Sequence, residues 1–475
     1  MNPPVAERAR WSDLASPALG SRAALILLGV WLNAADALVT ATIMPSVARE
    51  LGGWAWFGWA LAGYLLGSIV AGASAGQISA RLGLRPAMIA AALAYAAGCG
   101  LSAAAPDIAL FLAGRLLQGL GGGWINGFCY VAISAVFPER LWPRMFGATA
   151  GVWGVATLLG PMVGGLFAGA ALWRWAFWVF SAQGLVFTIA ALILLRGALA
   201  EDAGRRPLAW RTLLILTAAI VAIGAADILT GRLWPATLVF AGVSLLAVAA
   251  RVNATPGERL LPADAARPGT IAGAGYAMML SMAAAAAVFG VYGAAILQVV
   301  YGLSPLVAGY VIAMEAFGWT AAALIVASQP ERRHGGLILG GASAIAVGVA
   351  TLSLTIGGGG VGPIVVAATV MGAGFGLCWS LATGRILAAL PAEDRSIGAS
   401  AVPTCQLIGG ALGAAAAGAI ANLIGLTHDF SPANARALAP WLFAAFIPLA
   451  ALGWLAALRL ARPTPPGLAP RGLAP

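Results

Sequence analysis

Long apolar runs restrict this chain more than any other feature. Fourteen of them follow one another, at approximately 22–45, 55–78, 86–105, 108–137, 144–170, 174–195, 208–229, 233–250, 270–300, 305–328, 335–356, 362–390, 397–425 and 438–460. A helix needs roughly 20 apolar residues to cross a bilayer core, and these runs are of that order. Only helices and closed barrels satisfy every backbone polar group in lipid, and runs of this length point to helices. The charged residues are too few for a soluble fold: 9% of 475, where a soluble domain carries about a quarter. The expected class is an all-α integral membrane protein. The widest gap, 251–269, is too short for a soluble domain, so the function must lie in the bundle. The first run is expected to be part of that bundle rather than a cleavable leader.

The basic residues test the count independently. All 26 are arginine. With the N-terminus inside, alternating spans leave Arg49, Arg174, Arg232 and Arg436 outside and Arg115 within a helix; the other 21 fall on the cytoplasmic side. The expectation is fourteen spans with both termini inside. Trp54, Trp56, Trp173, Trp175, Trp234 and Trp441 begin spans at the outer interface, where indoles settle. The layout is then a cytoplasmic tail at 1–21, a six-helix half at 22–195, a linker at 196–269 carrying two extra spans and a cytoplasmic loop, a second six-helix half at 270–460 and a tail at 461–475. Two six-helix halves related by a parallel repeat form a transporter architecture.

Composition excludes several chemistries. Without lysine there is no P-loop, so the glycine runs Gly119–Gly123 and Gly357–Gly360 are not nucleotide cradles, and no Schiff base can form. The net charge of +10 follows from topology and calls for no nucleic acid. Cys99, Cys129, Cys378 and Cys405 lie in apolar runs without metal-site spacing, and His334 and His428 stand apart in loops, so no metal site is expected.

Three stretches carry a family resemblance. "GQISARLGLRP" offers Gly76, Arg81, Gly83 and Arg85, with Ala80 where an acid is usual. "FLAGRLLQGLGGGWING" offers Arg115, Gln118, Gly119 and Gly121. "GATAGVWGVATLLGPMVGG" offers Gly147, Gly160, Pro161, Gly164 and Gly165, with Ala156 replacing one glycine. These resemble the cytoplasmic gating loop, the fourth-helix motif and the exporter-associated fifth-helix motif of the major facilitator superfamily. Asp36, nine residues before Pro45, together with "WRWAFW" and "LQVVYGLSPLVAG", resembles its fourteen-span drug:proton antiporter branch, although Leu38 and Ala41 replace that branch's threonine and asparagine. The resemblance implies the major facilitator fold, gating and structural roles for these glycines and arginines, and antiport. Physically, glycines let helices approach closely and Pro161 loosens the backbone ladder, as halves that rock about a central site require.

Charges buried in lipid are costly and mark function. Asp36 and Glu315 are the deep acids and Arg115 the deep base. At about 1.5 Å per residue, Asp36 and Arg115 reach the same depth, while Glu315 lies near the midplane of the opposite half. Asn33, Asp36 and Thr40 share one helix face; Arg115, Gln118, Gly122 and Asn126 share another. The two stripes are expected to face each other or a common cavity. Burial favours a protonated carboxyl and a nearby guanidinium favours the ionised one, so rocking that changes their separation would change proton affinity. The alternative is a fixed pair that only orients helices.

The expected function is proton-coupled export of small lipophilic compounds by alternating access. Candidate cavity residues are Trp31, Asn33, Gln118, Trp124, Asn126, Trp153, Tyr292, Gln298, Phe317, Trp319 and Trp379. With two acids they suit a lipophilic cation, and a neutral amphipath or a metabolite fits nearly as well. No cofactor is expected beyond the proton gradient. The partners are substrate, protons and lipid, and the protein is expected to act as a monomer in a bacterial inner membrane. An uptake symporter of the same fold is the main alternative. A membrane serine hydrolase built on "GASAG", Gly72–Gly76 with Ser74, lacks a histidine placed to serve it. A receptor or scaffold on a transporter fold stays open.

Overall fold

The computed structural model describes residues 11–462, apart from 15, 17–18, 139–140, 196–208, 226–232, 256, 260, 263, 327–328 and 392–394. After a short α1 (Trp11–Leu14) come six helices: α2 (Gly20–Leu51), α3 (Phe57–Leu82), α4 (Leu84–Ala104), α5 (Ile108–Val136), α6 (Trp142–Gly169) and α7 (Trp173–Leu194). Then come α8 (Trp210–Ala225) and α9 (Leu233–Asn253). A second set follows: α10 (Ile271–Tyr301), α11 (Pro305–Val326), α12 (His334–Thr355), α13 (Val361–Ala389), α14 (Arg395–Leu423), α15 (Pro432–Ala444) and α16 (Ile447–Ala461).

Among the described residues, 12 helical stretches are long and apolar enough to cross a membrane, with α15 and α16 counted as one. The runs expected at 208–229 and 233–250 are helical, and the stretches of them described with their side chains, Trp210–Ile223 and Thr237–Asn253, are shorter than that criterion. Arg232 and the side chain of Trp234 lie outside the described residues.

Two boundaries differ from expectation. The first span does not stop at Pro45 but runs to Leu51, where Gly52 turns the chain at φ 66° and donates its N–H to the Ala48 carbonyl. Proline removes one ladder bond, yet in an apolar setting the remaining backbone groups still pair best by continuing the helix. The last span begins at Pro432 rather than near 438 and is interrupted at Ala445 and Phe446, before Pro448 at the start of α16.

The two sets repeat one another's packing. α3 and α4 pack on α5 as α11 and α12 pack on α13; α2 packs on α6 as α10 packs on α14; α4 packs on α7 as α12 packs on α16. Glycine makes these contacts close. A Cβ on Gly119 would collide with the Tyr64 carbonyl oxygen, and one on Gly372 with that of Glu315.

Between sets, α6 packs on α11 and α3 on α14, while α8, itself paired with α9, packs on α14 and α3. Several contacts cluster at the end where α2 gives way to α3. Trp54 stacks on Phe430 at 4.4 Å, Asn422 Nδ2 donates to the Ala55 carbonyl at 3.0 Å, and Tyr310 Oη donates to the Leu158 carbonyl at 3.1 Å. Gly165 lies against the Leu306 backbone, and Gly309 against Thr42 and Pro161.

Candidate functional site

Asp36 and Arg115 meet in the middle of the first set, both with side chains 0% exposed. Arg115 Nη1 donates to both carboxylate oxygens of Asp36 at 3.1 Å and to Gln118 Oε1 at 2.6 Å; its Nε donates to the Ala60 carbonyl at 3.2 Å. Gln118 Nε2 donates to Asp36 Oδ1 at 2.7 Å, and Thr40 Oγ1 donates to the same oxygen at 3.3 Å. The spacing explains the convergence. Thr40 is one turn along α2 from Asp36 and Gln118 is three residues from Arg115 on α5, so each partner is presented on the same helix face. In a low dielectric these charge-assisted bonds hold the pair strongly. The guanidinium carbon lies 4.6 Å from the centre of the Tyr64 ring, whose hydroxyl donates to Asn33 Oδ1 at 2.6 Å.

A cavity of about 260 Å³ opens beside this network, between the two helix sets. Its walls come from α2, α3 and α5 on one side and from α10 and α11 on the other. Thr40, Phe57, Tyr64, Arg115, Glu315 and Trp319 line it amid apolar side chains such as Leu61 and Ile312. Arg115 and Glu315, from opposite sets, therefore share one chamber. Glu315 makes no hydrogen bond or ion pair among the described residues.

The remaining expected ligand contacts separate. Trp319 is on the wall, stacked on Phe375 at 4.9 Å with Trp379 behind it at 5.6 Å. Tyr292 is fully buried behind Phe57, its ring centre 5.1 Å away. Gln118 is buried and spent on Asp36 and Arg115, which makes it a partner of the pair rather than a cavity contact. Asn33 is held by Tyr64, and Trp124 Nε1 donates to Ser74 Oγ at 2.8 Å. Trp31, Asn126 and Gln298 are half-buried off this wall, whereas Trp153 on α6 and Phe317 on α11 are exposed.

Phe57 and Tyr64 escape a reading of the sequence, because an aromatic residue in an apolar helix carries no signal of what it faces. Trp173 needs a correction. It is no interfacial indole but a buried one, 1% exposed, whose Nε1 donates to Glu50 Oε2 at 2.6 Å. Arg174 bonds the same carboxylate and the carbonyls of Ala103 and Ala105, tying α2, α4 and α7 together at one end. Trp54 likewise stacks between Phe57 and Phe430.

Gly76 and Arg81 lie near the end of α3. Gly83, at φ 82°, makes the turn into α4, and Arg85 Nη2 donates to the Leu192 carbonyl at 2.7 Å. Gly147 lies in the first turns of α6. Farther along that helix, Gly160 sits against Leu38, Gly164 against Val39 and Thr42, and Gly165 and Pro161 against α11. Ser74 lies within α3, donating to the Val70 carbonyl, and not on the strand-to-helix elbow that a nucleophilic serine of the G-x-S-x-G type requires. Among the described residues no cluster of metal-ligating side chains occurs.

Known proteins place this architecture. The sequence pattern of the Major Facilitator Superfamily matches residues 26–250. A protein of Mycobacterium tuberculosis named a probable multidrug-efflux transporter is 31% identical over 470 residues, spanning 96% of this chain and 97% of its own. A D-xylose–proton symporter of known structure superposes with a TM-score of 0.63 at 16% identity, over 93% of this chain and 97% of its own. A bacterial homologue of the lysosomal transporter Spinster, in an inward-facing state, superposes with a TM-score of 0.65 at 15% identity, over 95% and 99%. A multi-pass helical bundle with repeated packing, a charge pair sealed beside a central cavity and full-length similarity to such a protein lead to one conclusion: this chain belongs to the major facilitator superfamily, a family of transporters rather than enzymes.

Proposed function

We propose that the protein is a proton-coupled exporter of small lipophilic compounds. In this reading it crosses a bacterial inner membrane fourteen times, with both termini inside, α8 and α9 supplying the two extra spans between two six-helix halves. The arginine distribution supports that orientation, and the efflux name of the full-length relative supports the direction of transport. The observation that carries the reading is the Asp36–Arg115 pair, sealed from solvent yet bordering the cavity through Arg115.

In this orientation the Trp54 end is the outer one, and its packing holds the cavity shut from outside. Opening outward would break the Trp54–Phe430 stack and part α6 from α11. Any shift of α2 against α5 in that movement loosens Asp36 from Arg115 and lets the acid take up a proton; closing restores the pair and releases it. No cofactor enters this scheme, and a single chain suffices.

The test is Asp36→Asn reconstituted in proteoliposomes with an imposed proton gradient. Gradient-driven accumulation of substrate should be lost while passive exchange of substrate across the membrane continues. Full accumulation by the variant would remove Asp36 from the coupling.

A further inference from the structure

Two of the residues that line the shared cavity, one from each helix set, carry polar groups without a hydrogen-bond partner among the described residues. Arg115 commits Nη1 to Asp36 and Gln118 and Nε to Ala60, but its buried Nη2 has no hydrogen-bond partner among the described residues. Glu315, reaching the same cavity from α11, is equally without a partner among them. Buried polar groups are nearly always bonded, so Nη2 is an exception that asks what could pair with it, and the half-buried Glu315 opens onto the same chamber. That chamber, of about 260 Å³, has Phe57, Tyr64 and Trp319 on its walls.

We propose that this cavity takes a lipophilic zwitterion, its anionic oxygen on Arg115 Nη2 and its cationic nitrogen on Glu315, flanked by the aromatic rings. The proposal rests on the exporter reading and names the substrate class of that same site. A plain lipophilic cation leaves Nη2 empty and brings positive charge towards a guanidinium. A plain anion faces Glu315. A compound with both charges meets both groups and forms two charge-assisted bonds in an apolar setting. The two anchors belong to different helix sets, so the bound molecule bridges them and its affinity depends on how the sets are placed. The oxygen on Arg115 also competes with Asp36 for the same guanidinium, which links ligand and proton reciprocally.

Rhodamine 110, a zwitterion, and rhodamine 123, the cationic methyl ester of the same dye, separate the possibilities. Binding to the purified full-length protein in detergent is followed by fluorescence polarisation, without a gradient. Wild type should prefer rhodamine 110 by about fivefold or more, a difference worth one charge-assisted bond. In Arg115→Lys, which keeps a cation beside Asp36 but loses the forked donor, that preference should vanish. Glu315→Gln should weaken both dyes by about tenfold. Equal or tighter binding of rhodamine 123 by wild type, binding of neither dye, or a preference that survives Arg115→Lys overturns the proposal. Transport separates the two readings: loss of gradient-driven export with the binding preference intact overturns the exporter reading alone.

Discussion

The two helix sets share a packing plan and treat their buried acid in opposite ways. In the first set Asp36 is enclosed by Arg115, Gln118 and Thr40 and is fully buried. In the second set Glu315 stands on the cavity wall with no partner among the described residues. Meanwhile the close glycine contacts are alike: Gly119 against Tyr64 in one set, Gly372 against Glu315 in the other. Helix packing is thus common to both sets and the electrostatics is not. A buried ion pair holds its helices in register at little net gain, whereas an acid facing a chamber is open to a ligand or a proton.

The comparison is broken most severely by removing the base. Arg115→Met strands Asp36 and should cost about 3–5 kcal/mol of stability, seen as a large fall in the thermal unfolding midpoint in detergent. Asp36→Asn in that background should recover much of the loss, because the stranded charge goes with it. Next come the glycines, which test the likeness of the sets. Gly119→Ala and Gly372→Ala should each destabilise by about 1–3 kcal/mol, and a large effect at one position only would show that the two packings are not equivalent. Gln118→Leu removes two hydrogen bonds from the pair and should cost about 1–3 kcal/mol by the same measurement. Glu315→Gln should leave the unfolding midpoint unchanged or raise it slightly, since it discards a half-buried acid without a partner among the described residues. A marked fall there would mean that Glu315 has a structural partner after all. The last test, of the contact between sets, is Trp54→Ala. It removes a stack worth about 0.5–1.5 kcal/mol and should favour opening at that end, measured as faster labelling of a cysteine introduced at Leu61 on the cavity wall.

Much of this was legible beforehand, and particular residues show why. Asp36 and Arg115 announce themselves because a charge in an apolar run is conspicuous, and counting residues at a fixed rise gives its depth. Gln118 and Thr40 follow from one-turn spacing to the same faces. The glycines of α5 and α6 mark close approach without saying to what. Gln118 was expected to touch substrate, but Arg115 on its own helix donates to its amide oxygen and Asp36, on another helix 82 positions away, accepts from its amide nitrogen, so both ends of the amide are consumed. Trp173 began a span and looked interfacial, until Glu50, distant in sequence, supplied an acceptor that pulled it inside. Local pattern shows that a face differs from its neighbours; it does not show which helix covers it.

The sequence by itself determined the class, the helical runs and the biased arginine distribution, because insertion into lipid acts on short segments through their own composition. Only the tertiary structure decided that Asp36 is enclosed while Glu315 borders a cavity, and that Phe57 and Tyr64 complete that cavity. Those outcomes depend on which helices lie side by side, and hydropathy is the same whichever neighbour a helix acquires.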